Sequence, residues 1–114
     1  MNLSVIYLTH QTAGLAIRER LAFPNPDVLG RAYDRLEALF PQLEVVILSP
    51  CNRVELYVAQ SPTVPLPTLS QFAQFLSEFH GVPLDEFVGE LKELTGPPAV
   101  RHLFEVVSSL DSMV

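Results

Sequence analysis

Cys51 is the only cysteine of the chain, and it stands in Ser49-Pro50-Cys51-Asn52-Arg53-Val54-Glu55, directly after the apolar run that ends at Leu48. A thiol there is either buried filler, the commonest state of a free cysteine, or a nucleophile. Nucleophilic use needs the thiolate, hence a nearby cation, base or helix N-terminus, and it needs access to substrate. A turn between two strands supplies access. Arg53, two residues on, supplies a cation that could favour the thiolate or clamp a carboxylate through parallel N–H groups. The same arginine also fits a solvated strand-edge side chain paired with Glu55 on its own face.

Three histidines compete for the role of base. His80 precedes Gly81 at a predicted helix C-terminus, where partial positive charge is favoured, and it reads as structural. His10 falls in the loop after the first strand, near Thr9 and Thr12, where it could line a site. His102 lies roughly opposite the stripe Val100-Leu103-Phe104-Val107 on a helical wheel, so it is expected to face solvent or a cleft, not the core. On the residues alone, an ordinary surface histidine is the commoner reading of that placement. Other chemistries lack their devices: the chain has no glycine-rich dinucleotide or phosphate loop. No second cysteine and no histidine pair at helical spacing suggests a metal, and no serine-hydrolase elbow is present.

The elements that must position these residues follow from periodicity and punctuation. Leu3 to Leu8 reads as a strand, and Arg18 to Leu21 as a helical turn stopped by Pro24 and Pro26. Asn25 suits an N-cap and Pro26 a first turn, opening a helix with the stripe Leu29, Ala32, Leu36 and Leu39. Glu44 to Leu48 is expected to be a central strand covered on both faces. Arg53 to Ala59 alternates, with Val54, Leu56 and Val58 on one face and Arg53, Glu55 and Tyr57 on the other. The two strands are expected to form a hairpin with Cys51 in its connection. Ser61 to Pro67 is a proline-rich surface loop. Thr68 and Gln71 then form a capping box for a helix with the stripe Leu69, Phe72, Leu76 and Phe79, ended by Gly81 and Pro83. Leu91 to Leu94 reads as a short strand, and Pro97 and Pro98 open a last helix. The order β-α-β-β-α-β-α predicts an α+β fold. Its core is a ferredoxin-like β-α-β-β-α-β antiparallel sheet with helices on one face, plus an additional C-terminal helix.

The 114 residues suffice for one domain, or one piece of a larger protein. A net charge of −6, with the seven basic residues scattered, argues against a dedicated nucleic-acid binder; an RNA partner would be met only at its end. No apolar run approaches the roughly 18 residues of a membrane span, and the N-terminus has no signal-peptide pattern. A single cysteine cannot form an internal disulfide, which fits a reducing, cytoplasmic setting.

Taken together, Thr9-His10-Gln11-Thr12-Ala13, Arg18 to Phe23, Val45 to Tyr57, His102-Leu103-Phe104 and Leu110-Asp111-Ser112-Met113-Val114 resemble glutamyl-tRNA reductase. The resemblance covers residues 1–114 as a single N-terminal catalytic domain of that family. It implies reduction of the glutamyl group of glutamyl-tRNA to glutamate-1-semialdehyde with NADPH, the first committed step of tetrapyrrole (5-aminolevulinate) synthesis. By position it makes Cys51 the nucleophile that forms a glutamyl thioester, and His102 the histidine near the thiol. Pro50, Asn52 and Arg53 would form the pocket rim, Arg53 holding a substrate group, and Ser112 would contact substrate. NADPH would be bound by a domain absent from this chain, and no metal is implied. The implied partners are glutamyl-tRNA as substrate, glutamate-1-semialdehyde aminotransferase downstream, and a second subunit in a full-length homodimer; no membrane is expected.

Three positions depart from the family pattern. Pro50 replaces a usual threonine, losing a hydroxyl and an N–H donor. Ser109 replaces a usual glycine, and Gly14 a common proline. The chain also stops before the Gly-Glu-Pro-Gln segment the family would continue with, so the fragment alone is not expected to reduce substrate. The residues by themselves also fit a ferredoxin-like binding or regulatory module in which Cys51 is inert.

Overall fold

The computed structural model of the chain describes residues 2–49, 53–60 and 65–112. Its main elements are β1 (Asn2–Thr9), α1 (Leu15–Leu21), α2 (Pro26–Leu39), β2 (Glu44–Leu48), β3 (Arg53–Gln60), α3 (Leu69–His80), β4 (Lys92–Thr95) and α4 (Pro97–Ser112). Short 3₁₀ turns at Leu84–Glu86 and Val88–Glu90 join α3 to β4.

Local chemistry sets the helix ends. The Asn25 side chain accepts from the Val28 N–H at 2.9 Å, while Pro26 occupies a position whose N–H has no helical partner. At Thr68 the capping box is complete: its Oγ1 accepts from the Gln71 N–H at 3.2 Å, and its own N–H donates to Gln71 Oε1 at 2.8 Å. Gly81 closes α3 at φ 68°, a left-handed conformation that costs glycine little. The seven-residue α1 is longer than the expected single turn, and it buries Leu21.

The sheet is wholly antiparallel among its described neighbours, in the order β2-β3-β1-β4. The hairpin of β2 and β3 forms as expected, with Leu48 opposite Glu55. The central strands, however, are β1 and β3. β2, expected at the centre, is an edge strand whose Val46 is 52% exposed. A short apolar run specifies burial on at least one face but not which neighbours it pairs with. Tyr33 of α2 shields this edge, its Oη accepting the Ile47 N–H at 2.8 Å.

Helices also cover both faces instead of the expected one. Ile6, Leu8, Val54, Leu56 and Val58 point toward α1–α3 and pack with Leu36, Phe72 and Leu76 in the main core. Complete burial of such side chains stabilises by about 1.5–3 kcal/mol each. On the opposite face Val5 and Tyr57 pack against Ala99 of α4, with Leu94 and Leu103 alongside. The start of α4 is clamped to β1 by the Gly96 N–H, which donates to the Leu3 carbonyl at 2.9 Å. The sheet is therefore the middle of three layers, and the third layer builds the site.

Candidate active site

Helix α4 carries two apolar stripes, and only one meets the sheet. Val100, Phe104 and Val107, taken from the wheel as the packing face with Leu103, are exposed; Phe104 reaches 67%. The face that docks is Ala99, His102, Leu103 and Val106, spaced i, i+3, i+4 and i+7. Ala99 is fully buried, and its small side chain lets the helix approach Val5 and Tyr57 closely. His102 consequently points toward the sheet, against the expectation that it turned away from the packed face. Its expected place in a cleft is where it lies.

The cluster beneath it grows from the alternation of β3. Arg53, Glu55 and Tyr57 share one face of that strand, as the pattern indicated, but α4 covers them. The Glu55 side chain has no exposed surface, and those of His102 and Arg53 keep only 17% and 19%. His102 Nε2 contacts Glu55 Oε1 closely. Arg53 Nη1 lies 3.5 Å from Oε2, an ion-pair distance without hydrogen-bond alignment, since Oε2 accepts no hydrogen bond. The Tyr57 hydroxyl donates to Oε1 at 3.3 Å. Burial, reinforced by the Glu55 charge, pushes the Tyr57 phenol far up, so it remains a donor. Tyr7, which faces Glu55 across the β1–β3 pair, stacks on the imidazole with centroids 4.6 Å apart.

A cleft of about 360 Å³ opens beside this cluster, lined by Tyr7, Thr9, His10, Arg53, His102 and Glu105. Its outer wall is the turn after β1. The Thr12 and Ala13 N–H groups donate to the Thr9 carbonyl at 3.0 and 2.9 Å, and the Thr9 N–H donates to Thr12 Oγ1 at 2.9 Å. His10 rides on that turn and lines the cleft. The cleft lies at the end of the sheet where β2 passes to β3. That connection is tied at Ser49, whose Oγ accepts the Phe23 N–H at 3.0 Å.

Pro50, Cys51 and Asn52 lie outside the described residues, and Ser112 is the last residue of α4. Of the residues singled out in the sequence, the structure joins Arg53, His102 and His10 at one cleft. It sends His80 elsewhere, among Phe23 and Phe79. Glu55 entered only as a partner for Arg53; its contact with His102 was missed. The available signal was a glutamate between Val54 and Leu56 inside a strand, with a later helix carrying two apolar stripes.

The donor chemistry of the cleft is an imidazole, a guanidinium and a buried carboxylate. That set can bind an anionic or carbonyl group and move a proton. Among the described residues no three metal-ligating side chains gather.

Residues 6–114 match the family model described as glutamyl-tRNAGlu reductase, N-terminal domain. Over the whole chain it is 40% identical to a glutamyl-tRNA reductase of Geobacter sulfurreducens, covering 26% of that protein. It is 42% identical to glutamyl-tRNA reductases of Thermodesulfovibrio yellowstonii and Acaryochloris marina, covering 28% and 26% of them. The chain thus spans about a quarter of the length of these relatives. With a match from the first strand through the helix that carries His102, the chain belongs to the glutamyl-tRNA reductase N-terminal domain family.

Proposed function

We propose that this chain is the catalytic domain of an NADPH-dependent reductase that converts glutamyl-tRNA to glutamate-1-semialdehyde through a thioester on Cys51, in tetrapyrrole biosynthesis. The observation that carries the proposal is the cleft lined by His102 and Arg53, in a chain matching this family over residues 6–114. Arg53, which lines the cleft, is two residues along the chain from Cys51.

The acyl transfer follows from these groups. The Cys51 thiolate attacks the carbonyl carbon of the glutamyl ester, forming a C–S bond, and the C–O bond to the tRNA ribose breaks. In this reading His102 takes the Cys51 thiol proton and passes it to the departing ribose oxygen. Arg53 holds an anionic substrate group through its guanidinium, and Pro50, Asn52 and Ser112 complete the substrate contacts. Pro50 offers neither a hydroxyl nor an N–H, so neighbouring groups must supply any polar contact there.

The N-terminus of α4 does not suit the pyrophosphate of NADPH. The junction from β4 to α4 is Thr95-Gly96-Pro97-Pro98, and its two prolines remove N–H donors that a pyrophosphate at a helix N-terminus would use. In this reading the thioester is reduced by NADPH bound to another part of the whole enzyme. The fold is read as ferredoxin-like, supported by the strand order β2-β3-β1-β4 with every neighbour antiparallel. Further parts of the proposal are a cytoplasmic homodimer and an aminotransferase as consumer of the semialdehyde. Among the described residues no helix is long and apolar enough to cross a membrane.

Cys51→Ser in the full-length enzyme tests the assignment: semialdehyde formation should disappear, and retained activity would remove Cys51 from the mechanism. Alkylation of Cys51 against pH in this chain separates an active thiol from inert filler. An apparent value clearly below about 8.5 is expected for a working nucleophile.

A further inference from the structure

The ladder between β2 and β3 ends with Leu48 opposite Glu55. Ser49 follows, and Pro50 after it has no N–H with which to extend the pairing. The chain is tied there by a side chain instead. Ser49 Oγ accepts the Phe23 N–H at 3.0 Å, a bond between segments 26 residues apart. Phe23 is a firm anchor: it is 3% exposed, belongs to the main core and packs its ring against Phe79 and His80. It also lies just past α1, whose closing hydrogen bond is made by the Ala22 N–H, and the next residue, Pro24, has no N–H to offer.

We propose that Ser49 is a positioning residue for the Cys51 thiol. Its hydroxyl fastens one end of the thiol-bearing connection to the core, while Arg53, paired with Thr9, holds the other end. The inference rests on the thioester role given to Cys51 above. Cys51 stands two residues from each of these fixed ends. A nucleophile must meet the ester carbon within narrow limits, and a misplacement of about 1 Å can cost on the order of 10²-fold in rate. A hydroxyl that only satisfied a partly buried N–H could be replaced by water. One that fixes the connection could not.

The first test is transfer of radiolabelled glutamate from glutamyl-tRNA to the full-length enzyme, followed in single turnovers without NADPH. Ser49→Ala should lower the maximal rate by about 10-fold or more and leave the half-saturating tRNA concentration unchanged. Ser49→Thr, which keeps the hydroxyl, should restore most of the rate. An unchanged rate in Ser49→Ala overturns the proposal, as does a Ser49→Thr enzyme equally slow. The second test is amide hydrogen exchange in this chain, where the Phe23 N–H should be protected. A fast-exchanging Phe23 in the unaltered chain overturns the proposal without any variant having to fold. If the unaltered enzyme takes up no label, the thioester reading fails, while Phe23 exchange and Cys51 alkylation still judge Ser49. The alkylation rate should change in Ser49→Ala and revert in Ser49→Thr; identical rates in all three chains would count against Ser49.

Discussion

At the end of α3 the imidazole of His80 lies against the rings of Phe23 and Phe79, with centroids 4.8 and 5.0 Å away, and its Nε2 has no hydrogen-bond partner. Burial pushes its pKa down to about 4 from the ordinary 6.5. The expected benefit of a positive charge at a helix C-terminus loses here to desolvation. Between these two values the unfolded chain binds a proton that the folded chain refuses. The stability linked to His80 is therefore complete above pH 6.5 and is lost as pH falls toward 4. Urea midpoints measured between pH 7 and pH 5 should fall with acid, and His80→Leu should flatten that fall; equal slopes would contradict the assignment. Glu55 is buried too, but with polar partners around it. Its sequence neighbours revealed its face of the strand, but not that a helix closes over that face.

For the elements, α4 is the informative case, because its sequence supports two packing faces. The turn residues, the capping box at Thr68 and the alternation of β3 were all legible, since each depends on chemistry within a few residues. The choice between stripes on α4 was not, because it depends on what the sheet offers. Ala99 fits against Val5 and Tyr57, whereas Phe104 would hold the helix away from them. Substitution should reveal which face packs. Val106 is 2% exposed, and Val106→Ala should cost about 1–3 kcal/mol by urea denaturation. Phe104→Ser should change stability by less than about 0.5 kcal/mol despite losing the larger side chain. The reverse ranking would mean that the stripe read from the wheel is the one that docks.

Over the whole molecule, charge limits how the proposed tRNA substrate is met. The net charge is −6, and among the described residues three of the seven basic side chains stand in ion pairs. These pairs are Arg20 with Glu86 at 2.8 Å, Arg35 with Glu78 at 3.9 Å and Arg53 with Glu55 at 3.5 Å. Such a surface is expected to hold the acylated end and few backbone phosphates. Its affinity for tRNA, followed by fluorescence anisotropy, should vary shallowly with salt. A loss of about 10³-fold or more between about 50 and 200 mM salt would indicate six or more phosphate contacts and overturn this expectation.

By itself the sequence determined the α+β class, the hairpin around Cys51, the helix caps and the family, because short-range periodicity, turn chemistry and the order of motifs are written locally. Only the tertiary structure decided that β2 is an edge, that α4 crosses to the second face, and that His102 meets Glu55 across 47 residues of chain. Those outcomes depend on which surfaces fit one another. Shape complementarity between distant segments is invisible to the period of either one.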